Sequence, residues 1–241
     1  MPFGMMRQGF TYQVIQNVVA SRTPKTITNN GVTFSSAQKQ FGAFGAFFGG
    51  SATATSPNSS DFYLSNNSYT IEFWFNTADA LSEIVNQQST TRNGWSIGTR
   101  SGQRMLFAAG DGSTISVLVP STGGYSDNTW SHVAICHAAG GGVAIFTNGV
   151  RNYYNAGWNV NIAATTANFR MGTGFGVSGG NFTDGPFPYT GYMDEMRIST
   201  VDRYGVTNGT IAVPTAGFVN DADTKLLLHM ENTVADDGGP A

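Results

Sequence analysis

The sequence predicts an all-β fold, an antiparallel two-sheet β-sandwich of jelly-roll type with an N-terminal arm. Three observations carry that expectation. The run Trp130–Tyr154 alternates apolar and polar side chains, breaks at three consecutive glycines, alternates again and turns at Asn148-Gly149. Period two marks half-buried strands, and Asn-Gly supplies the positive φ that a type I′ hairpin turn demands. About a dozen such strands follow at turn-punctuated spacing, and nothing reads as a long amphipathic helix. Composition agrees: 31 glycines and 11% charged residues among 241 leave the surface to Ser, Thr, Asn and Gly, where roughly 25% charged is usual.

The elements follow in order. Met1–Asn30 differs from the rest and is expected as an arm or edge strand for attachment, with Thr11–Ala20 as one strand or short helix and Arg22–Asn30 as a connector containing Pro24. The sandwich then spans residues 31–232, a length that suits one large all-β domain. Gly31–Gly50 mixes aromatics with glycine, and Ala52–Ser60 reads as a loop. In Tyr69–Thr77, Ile71, Phe73 and Phe75 point one way and Glu72, Trp74 and Asn76 the other. Aromatics on both faces suit a central strand covered on both sides, or an outward surface covered by a partner. Glu83–Gln88 and Gly94–Thr99 are short strands, while Met105–Ala109 and Thr114–Val119 flank the turn Asp111-Gly112. Within the opening run, Val133–His137, Val143–Thr147 and Val150–Tyr154 are three successive strands. Phe169–Gly172 is a strand before a glycine-rich loop, Gly172–Gly185. Tyr189–Ser199 and Thr224–Met230 are the last strands, separated by a loop over Thr207–Asp223. Residues 233–241 are expected as a flexible tail, disordered from Asp236.

Several function classes find no support. A net charge of −3 gives no basic stripe for nucleic acid, and Arg92, Arg100 and Arg104 read as a solvated loop beside Asp111 and Asp127. Cys136, the single cysteine, reads as a buried, inert thiol. The N-terminus lacks the charged-then-apolar order of a signal peptide, and no run approaches the ~20 apolar residues of a membrane span. The chain is therefore expected to be made in a cytoplasm, and Asn58, Asn66, Asn181 and Asn208 mark polar loops only. His132, His137 and His229 have no ligand-spaced partners and read as structural. Asp194 and Glu195 are adjacent in a strand, so strict alternation points them to opposite faces, with one tied to Arg197 or a backbone amide. Glu72 and Glu83 lack a carboxylate at spacing two, which leaves glycoside hydrolysis without its pair. No catalytic residue is expected, and the protein is read as non-enzymatic.

The order of segments then becomes specific. FGGSATATSPNSSDFYLSNNSYTIEFWFNT, GWSIGTRSGQRMLFAAGDGST, WSHVAICH, VAIFTNGV and YTGYMDEMRIS together resemble a laminin G-like domain of the concanavalin A-type lectin and glucanase superfamily. The resemblance covers roughly Thr28–Met230. The endings Arg203-Tyr204, Pro214–Phe218 and Thr224–His229 are similar to those of domains in phage virion and tail-associated proteins. In such domains an L-L-L-H strand often opens the unit, whereas here it closes it. The resemblance implies a lectin-like sandwich in a virion, either decorating the capsid or associated with the tail. Its implied partners are other virion proteins, further copies of itself and a host-surface glycan. A free carbohydrate-binding module is the alternative. Aromatics in or beside turns are the glycan or interface candidates: Trp95, Tyr125, Tyr153, Tyr154, Trp158, Phe175 and Phe182, with Phe187 beside them. They equally suit plugging the rims of the sandwich. Some members of the superfamily hold Ca²⁺ at one rim. Here the candidates Asp111, Asp127 and Asp184 are scattered and Asp111-Gly112 is explained by its turn, so no cofactor is expected, with Ca²⁺ at these residues as the alternative.

Overall fold

The computed structural model describes residues 22–238, so Thr11–Ala20 lies outside the described residues. Two antiparallel sheets face each other across one core. The first runs, in spatial order, β1 (Thr28–Asn30), β4 (Thr53–Ser56), β13 (Phe169–Met171), β6 (Ser82–Gln88), β7 (Asn93–Arg100), β8 (Arg104–Asp111) and β9 (Ile115–Leu118). The second runs β12 (Val150–Asn155), β11 (Gly142–Thr147), β10 (Ser131–Ala138), β5 (Tyr69–Thr77), β16 (Thr190–Ser199), β3 (Gly45–Gly49) and β2 (Thr33–Ser35), with β17 (Thr224–Leu228) also paired to β16. A separate hairpin, β14 (Thr173–Ser178) and β15 (Asn181–Pro188), completes the strands. Among the described residues the one named helix is a 3-10 turn, Ser60–Phe62.

The three strands expected around Asn148-Gly149 are β10, β11 and β12, and both turn residues have positive φ, 49° and 81°. Asn148 also bolts the hairpin down. Its Oδ1 accepts from the His132 amide at 3.0 Å, and its Nδ2 donates to the Gly124 carbonyl at 3.2 Å. β5 is central, and every residue in it is buried. Ile71, Phe73 and Phe75 enter the inter-sheet core with Val133, Ile135, Val143 and Ile145. Truncating such an aromatic, Phe73→Ala for instance, costs about 3–5 kcal/mol through lost burial and the cavity left behind.

The outer face of β5 is covered as well. Trp74 packs with Phe218, Leu227 and Phe41, and the stretch 200–219 lies across the sheet as a strap. Tyr204 and Val206 of that strap meet Cys136 and Phe146, so Cys136 is buried as expected and burial pushes its thiol pKa well up.

Four local expectations change. Ala52–Ser60 contains strand β4, paired with β1 and β13. The glycine-rich loop Gly172–Gly185 is largely the β14–β15 hairpin, turning at Gly179-Gly180 with φ of 56° and 73°. Asp194 and Glu195 do not obey alternation. Glu195 has φ 49° and sits where the pairing with β5 slips between Asp194 and Arg197. One extra residue in a bulge returns the chain to the same side, so both carboxylates lie on the outer face. Asp194 accepts from the Gln40 and Phe41 amides, and Glu195 from the Phe218 amide. Finally, the chain end folds back at Asp236, whose buried carboxylate takes Arg22 and the Lys25 and Leu227 amides.

Candidate functional site

β9 and β12 are end strands of opposite sheets, and a cleft of about 430 Å3 opens between them. Its walls are Ser116–Leu118 from β9, Tyr153 and Asn155 from β12, and the loop Gly157–Val160. The loop is shaped locally: Asn155 Oδ1 accepts from the Gly157 amide at 2.9 Å and the Asn155 carbonyl from the Trp158 amide at 3.3 Å. That turn drives the Trp158 ring inward against Phe107, with centroids 6.0 Å apart. Tyr153 is half-buried, packed on the core while still lining the cleft. Asn159 is exposed. The lining carries one accessible aromatic ring, amide and hydroxyl groups, and no charged side chain.

The structure thus brings two of the sequence-predicted aromatics, Tyr153 and Trp158, to one cleft and disperses the others. Trp95 is fully buried, and its indole N–H donates to the Phe62 carbonyl at 3.2 Å, so its faces are core surface. Tyr125 is buried with its hydroxyl on the Asp79 carbonyl. Phe182 is buried beside Leu106 and half-buried Phe175, under the β14–β15 hairpin. Tyr154 lies on the opposite face of β12 from Tyr153, under the Arg151 guanidinium at 4.6 Å. Trp158 itself is buried and acts as the cleft's floor. The polar partners Ser116, Asn155 and Asn159 carried no pattern in the sequence, since only the stacking of the two sheets, with β9 and β12 at their ends, assembles them.

The ionisable groups are organised elsewhere. Glu72 is fully buried under the strap. Its Oε1 takes Arg197 through Nε at 2.9 Å and Nη2 at 2.7 Å, and its Oε2 takes the Tyr204 hydroxyl at 2.6 Å and His132 at 3.3 Å. Burial alone raises the carboxyl pKa, but His132, Arg197 and Tyr204 outweigh it and hold Glu72 below its ordinary value. Glu83 is equally buried on the outer face of the other sheet, with Ser96 and Arg100. There burial prevails and pushes the pKa up. Glu72 and Glu83 are therefore on opposite outer faces of the sandwich, too far apart to act together on one glycosidic bond.

The histidines each hold a structural contact, His137 to the Asn67 carbonyl at 2.6 Å and His229 to Glu195 at 2.8 Å. Among the described residues no three His, Cys, Asp or Glu side chains converge as a metal would need. Asp111 is consumed by the Ser113 and Thr114 amides, Asp127 faces Gln103, and Asp184 lines a different groove.

Residues 48–203 match the family described as the concanavalin A-like lectin/glucanases superfamily. Curated protein sequences give no match. Among solved structures, the chain is similar to domain 4 of AbnA, a GH43 extracellular arabinanase from Geobacillus stearothermophilus solved with arabinotriose. The identity is 17% and the TM-score 0.51, over 81% of this chain and 87% of that one. It is also similar to the binding domain of botulinum neurotoxin serotype G, at 14% identity and TM-score 0.54, over 75% of this chain and 44% of that one. A third likeness is to a structure concerning botulinum neurotoxin type C, whose cell entry is described as dependent on interaction with two ganglioside molecules. The identity is 16% and the TM-score 0.55, with the same coverage. The chain spans less than half of these toxin chains, and at such identities the likeness is one of fold.

Proposed function

Because the chain belongs to the concanavalin A-like lectin/glucanases superfamily, we propose that it is a lectin-like binding module holding a neutral saccharide in the cleft between β9 and β12. The observation that carries this reading is the lining itself: the Tyr153 ring with Ser116, Asn155 and Asn159 around it and no charge. An aromatic face stacks on the apolar face of a sugar ring, while amides and hydroxyls take its hydroxyl groups. The arabinotriose bound by the arabinanase domain makes that trisaccharide the first ligand to try. Titration calorimetry should give saturable binding to arabinotriose or to a hit from a neutral glycan array. Tyr153→Ala should weaken it about tenfold, the loss of one well-packed ring. An array without hits, with and without calcium, would sink the proposal.

The reading is non-catalytic, supported by the separation of Glu72 from Glu83. Turnover of a polysaccharide that is lost in Glu72→Gln would overturn it. We further assign the module to a virion, as a capsid-decorating or tail-associated structural protein made in the host cytoplasm and assembled with further copies of itself and other virion proteins. That setting is supported by the likeness of Arg203-Tyr204, Pro214–Phe218 and Thr224–His229 to phage virion domains. In this fold those three segments meet over the outer face of β5 and β16, through Tyr204 on Glu72, Phe218 on Glu195 and His229 on Glu195.

A further inference from the structure

On the outer face of the other sheet, two adjoining clefts of about 360 Å3 each share Leu81, Arg100 and Val119. One continues to Ala80, Ser101 and Arg104, the other to Leu106, Val117, Val177 and Phe187. Among the described residues, two of the four large hydrophobic side chains left exposed line this trough, Leu81 at 51% and Val117 at 43%. Its apolar wall is mostly aliphatic, with Phe187 the one aromatic side chain in it.

The charges at one end are unusual. Arg100 and Arg104 are directly opposed across β7 and β8, and like charges in such a pair, with Cβ atoms ~5 Å apart, repel. Glu83 answers only Arg100, taking its Nη2 at 2.6 Å while Thr99 takes Nη1 at 2.7 Å. Those bonds fix the guanidinium from behind. Arg104 uses its Nε and one Nη1 donor on backbone carbonyls, Ser101 at 2.7 Å and Pro120 at 3.5 Å. Among the described residues no carboxylate lies within ion-pair distance of it. Asp184 lines the cleft that Arg100 shares but not the one that holds Arg104, so the Arg104 end of the trough is electropositive and an apolar run leads from it.

We propose that this trough is a second binding site, for a carboxylate carried on an aliphatic body. The carboxylate bridges the opposed Arg100 and Arg104, using N–H donors the protein leaves unspent, and relieves their repulsion. The aliphatic part lies along Leu81, Val119, Leu106 and Val117 and covers the two exposed side chains. A planar fork fits a carboxylate better than a point charge does, and burial of each methylene adds to the affinity.

Titration calorimetry on the full chain tests this with sodium octanoate, and with acetate and octylammonium as the head alone and the tail with the wrong charge. Octanoate should bind saturably at one site, and the other two about tenfold more weakly or not at all. Arg104→Ala and Leu81→Asp should each weaken octanoate about tenfold, the loss of one charge-assisted contact or of the apolar wall. Both side chains are at the surface, and the thermal melt of each variant should match the parent. Octylammonium binding as tightly as octanoate would overturn the proposal. So would octanoate binding indifferent to both substitutions, or no saturable heat. Tyr153→Ala should leave octanoate binding unchanged, which separates this site from the saccharide cleft.

Discussion

Asp194 shows how one side chain sets a pH dependence. Its carboxyl is held above the ordinary 3.8, at about 7, first by burial and then by the neighbouring Glu195, against the pull of the Phe41 and Gln40 amides. Its Oδ1 is buried without a partner. A carboxyl whose pKa is raised in the folded state binds its proton more tightly there than in the unfolded chain. Its contribution to stability is therefore complete below about pH 4 and lost as pH rises through about 7, on the order of a few kcal/mol in all. His229, raised chiefly by its bond to Glu195, adds a loss of the same sign above its ordinary value. Asp194→Asn keeps an oxygen for the two amides and cannot ionise. Its unfolding free energy should fall less than the parent's between pH 5 and pH 8, with the His229 share remaining; equal slopes in urea titrations would refute the assignment. The tie to a backbone amide was legible beforehand, but the shared face was not. Strict alternation placed Asp194 and Glu195 on opposite faces, and a bulge of one residue, which leaves no mark in the local sequence, put them on one.

At the scale of elements, legibility followed the strength of the local pattern. Asn148-Gly149 announced its hairpin because that turn geometry admits few other residues. The β14–β15 hairpin turns on Gly179-Gly180, an equally good two-residue turn, but three glycines among its strands remove the alternation that identifies a strand. The strap over residues 200–219 has no period at all, and its role comes from what lies beneath it. Glu72 is kept ionised in the interior by partners that include Tyr204. Tyr204→Phe removes one hydroxyl and leaves a buried carboxylate oxygen with only the longer His132 contact. The cost should be about 1–3 kcal/mol, read as a lower urea midpoint with an unchanged denaturant slope. A loss below half a kcal/mol, within the scatter of surface substitutions, would mean that the strap is held by its apolar contacts alone.

Over the whole molecule, the two ends of the described chain close on each other, and this decides how the attachment role must be tested. Asp236 is buried and ion-paired to Arg22, Lys25 pairs with Asp61, and Thr28–Asn30 forms the end strand β1. The sandwich was legible as a unit, yet a boundary at residue 30 cuts through these contacts, because pairs more than 200 residues apart leave no local signal. Removing residues 1–30 would strip Asp236 of its cation and β4 of a neighbour. Breaking one buried ion pair costs about 3–5 kcal/mol, so that truncation should melt well below the parent, and its absence from particles would say nothing about attachment. Removing residues 1–21 leaves every one of these contacts in place. If those residues carry the attachment, the shorter truncation should retain saccharide binding while failing to enter particles assembled in the host. Light scattering should also show a smaller assembly than the parent's if the same segment joins copies of the chain. Full incorporation of the shorter truncation would remove the attachment role from the N-terminus and leave the outer faces of the sandwich to supply it.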